Sequence, residues 1–107
     1  SIHQNSYHEE YVHGAQVFYY AGSEDSKVLA QRLKQVLAAE LDPDNTRHAK
    51  ANDSYYLLKK TSSPIVIVEC GFLSNNEEAQ KLSSDLYQEK AAWAIHLAIL
   101  QHLNSRK

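Results

Sequence analysis

The chain has 107 residues, of which 43% are hydrophobic and 22% charged, and its formal net charge at pH 7 is -2. This length and composition are those of one ordinary domain or of part of one. Lys and Arg are scattered among acidic residues, so the sequence lacks the basic footprint of a protein that binds nucleic acid or anionic lipid. The longest apolar runs, residues 65–68 and 91–95, fall far short of the roughly 18 residues needed to cross a bilayer.

The first predicted elements are two strands and a helix. His3 lies just past a segment that has the pattern of a strand's last residues, with the body of that strand before residue 1. Residues 15–20 alternate small, polar and aromatic side chains, which predicts a second strand. Ser23 has the chemistry of an N-cap, and apolar residues then recur at spacings of three and four. This pattern predicts a helix over residues 24–40.

A loop, a short helix and a buried strand are predicted next. Residues 42–50 begin with Asp-Pro and are polar, so they end the helix and form a loop. Residues 54–60 are predicted to form a short helix. Pro64 then begins a run of four branched aliphatic residues, 65–68, which is typical of a strand buried on both faces. Glu69 follows where this strand is expected to leave the sheet.

Two further helices complete the predicted fold. Ser74 and Glu77 have capping-box spacing for a short helix. Residues 85–103 are predicted to form a last long helix with a wide apolar stripe made of Leu86, Ala91, Ala94, Ile95, Ala98, Ile99 and Leu103. Alternating strands and helices predict an α/β fold, a mostly parallel open sheet with helices on both faces. Three strand signals are too few for such a sheet, so only its C-terminal part is expected in this chain.

Two residues have the chemistry of a catalytic site. Glu69 follows a buried strand, which is where open α/β sheets place functional groups, and His3 follows the other strand end. Taken alone, Glu69 could instead pair with a lysine or cap a turn, and His3 could be a structural hydrogen-bonding residue.

The other cysteine and histidine side chains offer weaker candidates. Cys70 is the one cysteine in the sequence, which excludes an internal disulfide and a multi-cysteine metal site. The sequence arranges no general base for it, which disfavours a nucleophilic role. Four other histidines are expected at the surface; they are His8, His13, His96 and His102.

Three segments carry a family resemblance. They read Ser-Ile-His-x-Asn at residues 1–5, Gly-Ala-Gln-Val-Phe-Tyr at 14–19 and Val-Glu-x-Gly-Phe-Leu-Ser-Asn at 68–75. In this order and at these separations they resemble the zinc-dependent N-acetylmuramoyl-L-alanine amidases, which cut peptidoglycan. The resemblance implies that residues 1–107 are the C-terminal portion of a single catalytic domain. The missing N-terminal part of that domain would supply a zinc-binding histidine and a zinc-binding glutamate.

The resemblance also implies roles for the two candidate residues. His3 would be the third protein ligand of one zinc ion, and Glu69 would be the general base. A zinc ion with three protein ligands keeps a position open and lowers the pKa of its water toward about 7. The bond cut would join N-acetylmuramic acid to the L-alanine of its stem peptide. This fragment alone is expected to be inactive.

Substrate binding is assigned by the same resemblance to four residues, Asn5, Arg47, Lys50 and Asn52. Residues 46–53, which include Arg47, Lys50 and Asn52, are similar to the family's Asn-Arg-Gly-x-Lys segment, which borders the substrate groove, although His48 replaces the glycine. Arg47 and Lys50 would grip carboxylates of muramic acid or of the stem peptide. Asn5 would orient the ligating imidazole or touch the substrate.

Within the family, the loop segments look most like the spore-cortex amidases of endospore-forming bacteria, which remove stem peptides so that muramic-δ-lactam can form. This similarity implies a role in sporulation and germination. It also implies a secreted or cell-envelope location, or the forespore and spore-cortex compartment. Peptidoglycan and a regulatory protein would be the partners. A vegetative autolysin or a phage lysin is the nearest alternative.

Two alternatives come from other functional classes. A non-catalytic peptidoglycan-binding or regulatory module would keep the amidase surface without the metal, and this chain supplies only one of the three expected ligands. A zinc carboxypeptidase-like enzyme on a related α/β sheet is the other alternative. The sequence upstream of Ser1 would test the first alternative, because it would show whether the other two zinc ligands are present. Comparing cleavage of glycan-linked stem peptides with cleavage of free peptides would test the second.

Overall fold

The computed structural model describes residues 1–53, 58 and 62–105. Within these residues the chain forms a four-stranded sheet and three helices. In chain order they are β1 (Ile2–Asn5), β2 (Gln16–Tyr20), α1 (Glu24–Leu41), β3 (Lys50–Asn52), β4 (Val66–Phe72), α2 (Asn76–Leu82) and α3 (Asp85–Ser105). The predicted α/β class, an open sheet with flanking helices, is confirmed. The short helix predicted over residues 54–60 lies outside the described residues, apart from the buried Leu58.

The sheet has the strand order β1-β4-β2-β3. Strand β4 runs parallel to β1 and antiparallel to β2, and β2 runs parallel to β3. Parallel pairing therefore dominates among the described strands, as predicted, with the β2–β4 pair as the exception. Strand β3 was not predicted, because its Lys-Ala-Asn sequence lacks a strand pattern and its extended form depends on pairing with β2.

Helix α1 begins and ends where its local signals indicate. The hydroxyl oxygen of Ser23 accepts a hydrogen bond from the backbone N–H of Ser26 at 3.2 Å, which confirms the predicted N-cap. The helix ends at Leu41, immediately before the Asp42-Pro43 pair. The buried Ser26 also accepts a hydrogen bond from the backbone N–H of Ile65 at 3.0 Å, which ties the start of α1 to the residue that precedes β4.

Helices α1 and α3 pack against each other and cover one face of the sheet. Ala94 and Ala98 on α3 have no exposed surface, and such small side chains let the two helices approach closely. The core also takes side chains from α1 and the sheet; among them are Ala30, Leu33, Leu37, Val17, Val66, Val68 and Cys70. None of the described helices is both long enough and apolar enough to cross a membrane.

The predicted apolar stripe of α3 is only partly buried. Ala91, Ala94 and Ala98 are buried, but Leu86, Ile99 and Leu103 are 62%, 41% and 52% exposed. Apolar residues lie all round this helix, so hydrophobicity alone could not identify its packed side. His102 was expected at the surface, and that prediction is wrong: it continues the spacing of Ala94 and Ala98 and is only 4% exposed.

The N-cap of α2 is Asn75, one residue after the predicted Ser74. The side-chain oxygen of Asn75 accepts a hydrogen bond from the backbone N–H of Glu78 at 3.0 Å. Ser74 instead accepts a hydrogen bond from the backbone N–H of Tyr7 at 2.9 Å, which holds the loop after β1. The capping-box spacing therefore belongs to Asn75 and Glu78.

Strand β4 extends past its predicted end to Phe72, so Glu69 lies within the sheet and not where the strand leaves it. The extension follows from pairing with β1, since Asn5 is the register partner of Phe72 and its backbone carbonyl accepts from Leu73 N–H at 2.8 Å. The prediction that the aliphatic run is buried on both faces is confirmed for Val66, Ile67 and Val68.

Candidate active site

One face of the sheet carries a row of three polar residues on three neighbouring strands. His3 on β1 and Gln16 on β2 are both register partners of Glu69 on β4. Residues directly opposite each other in a sheet point to the same side. Val68 and Cys70, which flank Glu69, belong to the core beneath the helices. The row of His3, Glu69 and Gln16, which we call the polar row, therefore lies on the opposite face.

Glu69 has the environment of a base. Its side chain is partly buried, and its Oε2 atom is buried and receives no hydrogen bond within the described part of the chain. Burial raises the pKa of Glu69 above its usual value, and the charge of nearby His3 partly offsets this effect. A carboxylate with a raised pKa is a stronger proton acceptor at neutral pH.

His3 is exposed and is the metal-binding candidate of the polar row. Its Nε2 atom lies in hydrogen-bond contact with the hydroxyl of Ser1. A neutral imidazole is a preferred zinc ligand, and a neighbouring carboxylate with a free acceptor atom suits a base beside a metal. No group of three His, Cys, Asp or Glu side chains in residues 1–53, 58 and 62–105 could hold a metal ion. The described residues thus fit one ligand and the base of a zinc site.

A groove of about 390 Å³ adjoins the polar row, and Gln16 forms part of its lining. It brings together three of the four predicted substrate-binding residues, Asn5, Arg47 and Lys50. Asn52 is not among the residues that line the groove. It lies two residues beyond Lys50 on β3, where its register partner on β2 is Tyr20. Two strand residues correspond to about 7 Å.

Arg47 is held against one wall of this groove. Its guanidinium carbon lies 5.0 Å from the centre of the Phe72 ring, and its Nε donates a hydrogen bond to the backbone carbonyl of His13 at 2.9 Å. Its backbone N–H donates to the side-chain oxygen of Asn45 at 2.9 Å. Lys50 is exposed at the start of β3. The groove therefore contains two cationic side chains, of which one is firmly placed.

Asn5 lies at the end of β1, two residues beyond His3. Its side-chain oxygen accepts a hydrogen bond from the backbone N–H of Ser6 at 2.8 Å. That oxygen is therefore engaged by its own chain and not by the imidazole of His3. The position of Asn5 in the groove favours contact with a ligand over orientation of the histidine.

Two residues of this region escaped the sequence analysis, Gln16 and Glu78. Gln16 is 3% exposed; its Nε2 donates to the carbonyl of His48 at 2.7 Å, and its buried Oε1 receives no hydrogen bond from any described residue. The carboxylate of Glu78 accepts hydrogen bonds from the backbone of Gly14 and of Phe72. The Asn-x-x-Glu spacing from Asn75 could have identified Glu78. The place of Gln16 beside Glu69 is visible only from the register between β2 and β4.

The remaining candidates agree with their modest predicted roles. His8, His13 and His96 are exposed, as expected. Cys70 is buried, and burial, followed by the nearby charge of Glu69, raises the pKa of its thiol. A raised pKa reduces the thiolate fraction and so disfavours nucleophilic chemistry at Cys70.

Comparison with known proteins gives consistent relatives. The sequence profile of the family described as N-acetylmuramoyl-L-alanine amidase matches residues 1–101. The chain is 34% identical over 106 residues to the germination-specific N-acetylmuramoyl-L-alanine amidase of Bacillus subtilis (strain 168), covering 99% of this chain and 44% of that protein. It is also 34% identical to the amidase LytC of the same strain, covering 90% of this chain and 19% of that protein.

A solved structure shows the same fold. The CwlD amidase from Clostridioides difficile, solved in complex with the GerS lipoprotein, superposes with a TM-score of 0.95 at 41% sequence identity. The match covers 97% of this chain and 53% of that one. The chain therefore spans about half the length of this structure, and less than half of the two B. subtilis relatives.

Proposed function

This chain belongs to the N-acetylmuramoyl-L-alanine amidase family, and we propose that it is the C-terminal portion of a zinc-dependent catalytic domain. The proposed reaction is hydrolysis of the amide bond between N-acetylmuramic acid and L-alanine in peptidoglycan. The observation that carries this proposal is the register pairing of His3 with Glu69 on the sheet face opposite helices α1 and α3. The 63% exposure of Ile2 on the edge strand β1, together with the half-length match to CwlD, supports placing the chain in a larger domain.

In the proposed mechanism, His3 supplies one ligand of the metal and Glu69 transfers protons. When bound, zinc would polarise the amide carbonyl and lower the pKa of its bound water to about 7. Glu69 accepts a proton from the attacking water and returns it to the leaving nitrogen. Such proton transfer contributes about 10²- to 10⁴-fold to rate when the carboxylate is well placed. Pairing of β4 with both β1 and β2 fixes the backbone of Glu69.

The groove beside the polar row is the proposed substrate site. Arg47 and Lys50 bring two positive charges to its lining, which suits carboxylates of the muramic acid or of the stem peptide. Asn5 would donate or accept hydrogen bonds at the end nearer His3. Asn52, farther along β3, would contact only a ligand that extends past Lys50.

The biological setting is proposed from the relatives. One is named as germination-specific, and another was solved with a lipoprotein. We therefore propose action on spore-cortex peptidoglycan during formation of muramic-δ-lactam, in the cell envelope or the forespore compartment, with a regulatory lipoprotein as partner.

The test is digestion of purified peptidoglycan by the full-length protein, with mass spectrometry of the products. We expect free stem peptides that begin with L-alanine, together with glycan strands that lack peptides. Metal analysis should find one zinc ion per chain, and a chelator should abolish activity that added zinc restores. Cleavage within free peptides would favour the carboxypeptidase alternative. Binding to peptidoglycan without cleavage would favour the non-catalytic module.

A further inference from the structure

Glu78 is a buried acidic residue that the proposed reaction does not use. It is 8% exposed and lies in the first turn of α2. Its carboxylate accepts hydrogen bonds from the backbone N–H of Gly14, at 2.9 Å to Oε1 and 3.0 Å to Oε2, and from the backbone N–H of Phe72 at 3.0 Å. Hydrogen bonds from N–H groups to an ionised acceptor are strong, so this carboxylate joins two segments that are far apart in sequence.

Both of these segments also hold Arg47. The peptide group between His13 and Gly14 donates its N–H to Glu78 and accepts the Nε–H of Arg47 through its carbonyl at 2.9 Å. At the second segment, Phe72 donates its N–H to Glu78 and presents its ring to the guanidinium of Arg47, at 5.0 Å. Two independent paths, each through a single residue or peptide group, therefore connect Glu78 to Arg47.

The surroundings of the carboxylate leave little room for rearrangement. Gly14 has a φ of +101°, a conformation that favours glycine, so its N–H is aimed by the backbone itself. A Cβ atom at Gly71 would lie 3.3 Å from Oε1 of Glu78. The close packing around Glu78 favours a fixed geometry over a mobile surface acid.

From this arrangement we infer that Glu78 is a positioning residue for substrate binding, which acts by holding the guanidinium of Arg47 at the groove wall. The inference rests on the proposed function, because it gives Arg47 a substrate to bind. Glu78 is not among the residues that line the groove, and the described hydrogen bonds of its carboxylate go to Gly14 and Phe72 and not to the polar row. Its loss should therefore weaken binding of the substrate more than it slows the chemical step.

The test compares four variants of the full-length protein: Glu78→Gln, Arg47→Met, the double variant and the control Glu77→Gln. Glu77 is the neighbouring residue on α2, but it is exposed, and its carboxylate lies 3.8 Å from the Lys81 ammonium. The measurements are KM and kcat on a purified muropeptide, and hydrogen exchange of segments that contain Gly14 and Phe72. Glutamine places an N–H₂ group against backbone N–H donors, so it removes at least one of the bonds while keeping the shape.

We expect Glu78→Gln to raise KM at least about fivefold with kcat within about twofold, and to speed exchange at both segments. In the Arg47→Met background the same change should alter KM by less than about twofold, because coupled residues are not additive. The Glu77→Gln variant should match the wild type. If Glu78→Gln does not fold, Glu78→Asp is measured in its place, since it keeps the charge but is too short to reach both segments.

An equal effect on KM with and without Arg47 would overturn the inference, as would an effect mainly on kcat. A wild-type protein without activity on muropeptides would instead contradict the proposed function. In that event, unchanged exchange at Gly14 and Phe72 in the variant would separately overturn the role of Glu78.

Discussion

Gln16 and Glu69 face each other across β2 and β4, and each has a buried side-chain oxygen that accepts no hydrogen bond from the described residues. A buried acceptor without a partner costs about 1–3 kcal/mol. Two such atoms on paired residues, beside the exposed imidazole of His3, are unusual in a structural sheet. They fit a site whose donors come from water or from a ligand. The polar row is therefore the part of this sheet that we expect to perform chemistry.

The first prediction concerns Glu69. Glu69→Gln keeps the size of the side chain but removes the proton acceptor, so activity of the full-length protein on muropeptides should fall at least about 100-fold. Zinc content should remain nearly that of the wild type, because Glu69 is assigned as a base and not as a ligand. Steady-state kinetics and metal analysis provide the two measurements.

A suitable control for this variant is Glu89→Gln, an exposed acidic residue on α3. It should leave both activity and zinc content unchanged. Activity of Glu69→Gln within about threefold of the wild type would rule out the general-base assignment.

The second prediction concerns His3. His3→Ala removes the proposed ligand, so both bound zinc and turnover should fall, whereas Glu69→Gln should affect turnover alone. The matched control is His8→Ala, since His8 is an exposed histidine of the loop that follows β1. Full zinc retention in His3→Ala, measured after dialysis against a weak chelator, would show that His3 is not a ligand.

The elements that the sequence predicts well have local causes. Strand β2 and helix α1 follow from alternation, from the cap at Ser23 and from the Asp42-Pro43 stop, all of which act within a few residues. The extent of β4 was underestimated because its last residues depend on pairing with β1. Strand β3 was missed for the same reason, since its partner β2 lies about thirty residues away in sequence.

In the candidate site, too, some residues could be predicted from the sequence and others depend on the three-dimensional structure. The resemblance to a family predicts that His3 and Glu69 belong to one site, but their spacing of 66 positions carries no geometric information. The place of Gln16 in the polar row depends on the register between strands, which a single sequence does not specify. The link from Glu78 to Arg47 runs through the backbone groups of His13, Gly14 and Phe72 and through the Phe72 ring, so no pattern of charged side chains in the sequence reveals it.

The third prediction concerns the reactivity of Cys70. Burial, and then the charge of Glu69, raise the pKa of its thiol, so less thiolate is present at pH 8 than for an ordinary cysteine. Because the thiolate is the reactive form, alkylation by iodoacetamide should be at least about tenfold slower in the native protein than in denaturant. Free glutathione at the same pH provides the reference rate. A native rate equal to the denatured rate would show that Cys70 is exposed and ordinary.

The last prediction concerns the helix layer that supports the sheet. Leu33 on α1 is 1% exposed and belongs to the core between α1, α3 and β4, so Leu33→Ala should leave a cavity. The expected loss of unfolding free energy is about 2–5 kcal/mol. Val28 lies on the same helix but is 39% exposed, so Val28→Ala should cost less than about 1 kcal/mol. Urea unfolding of the full-length protein measures both values, and a loss below about 1 kcal/mol for Leu33→Ala would contradict this packing.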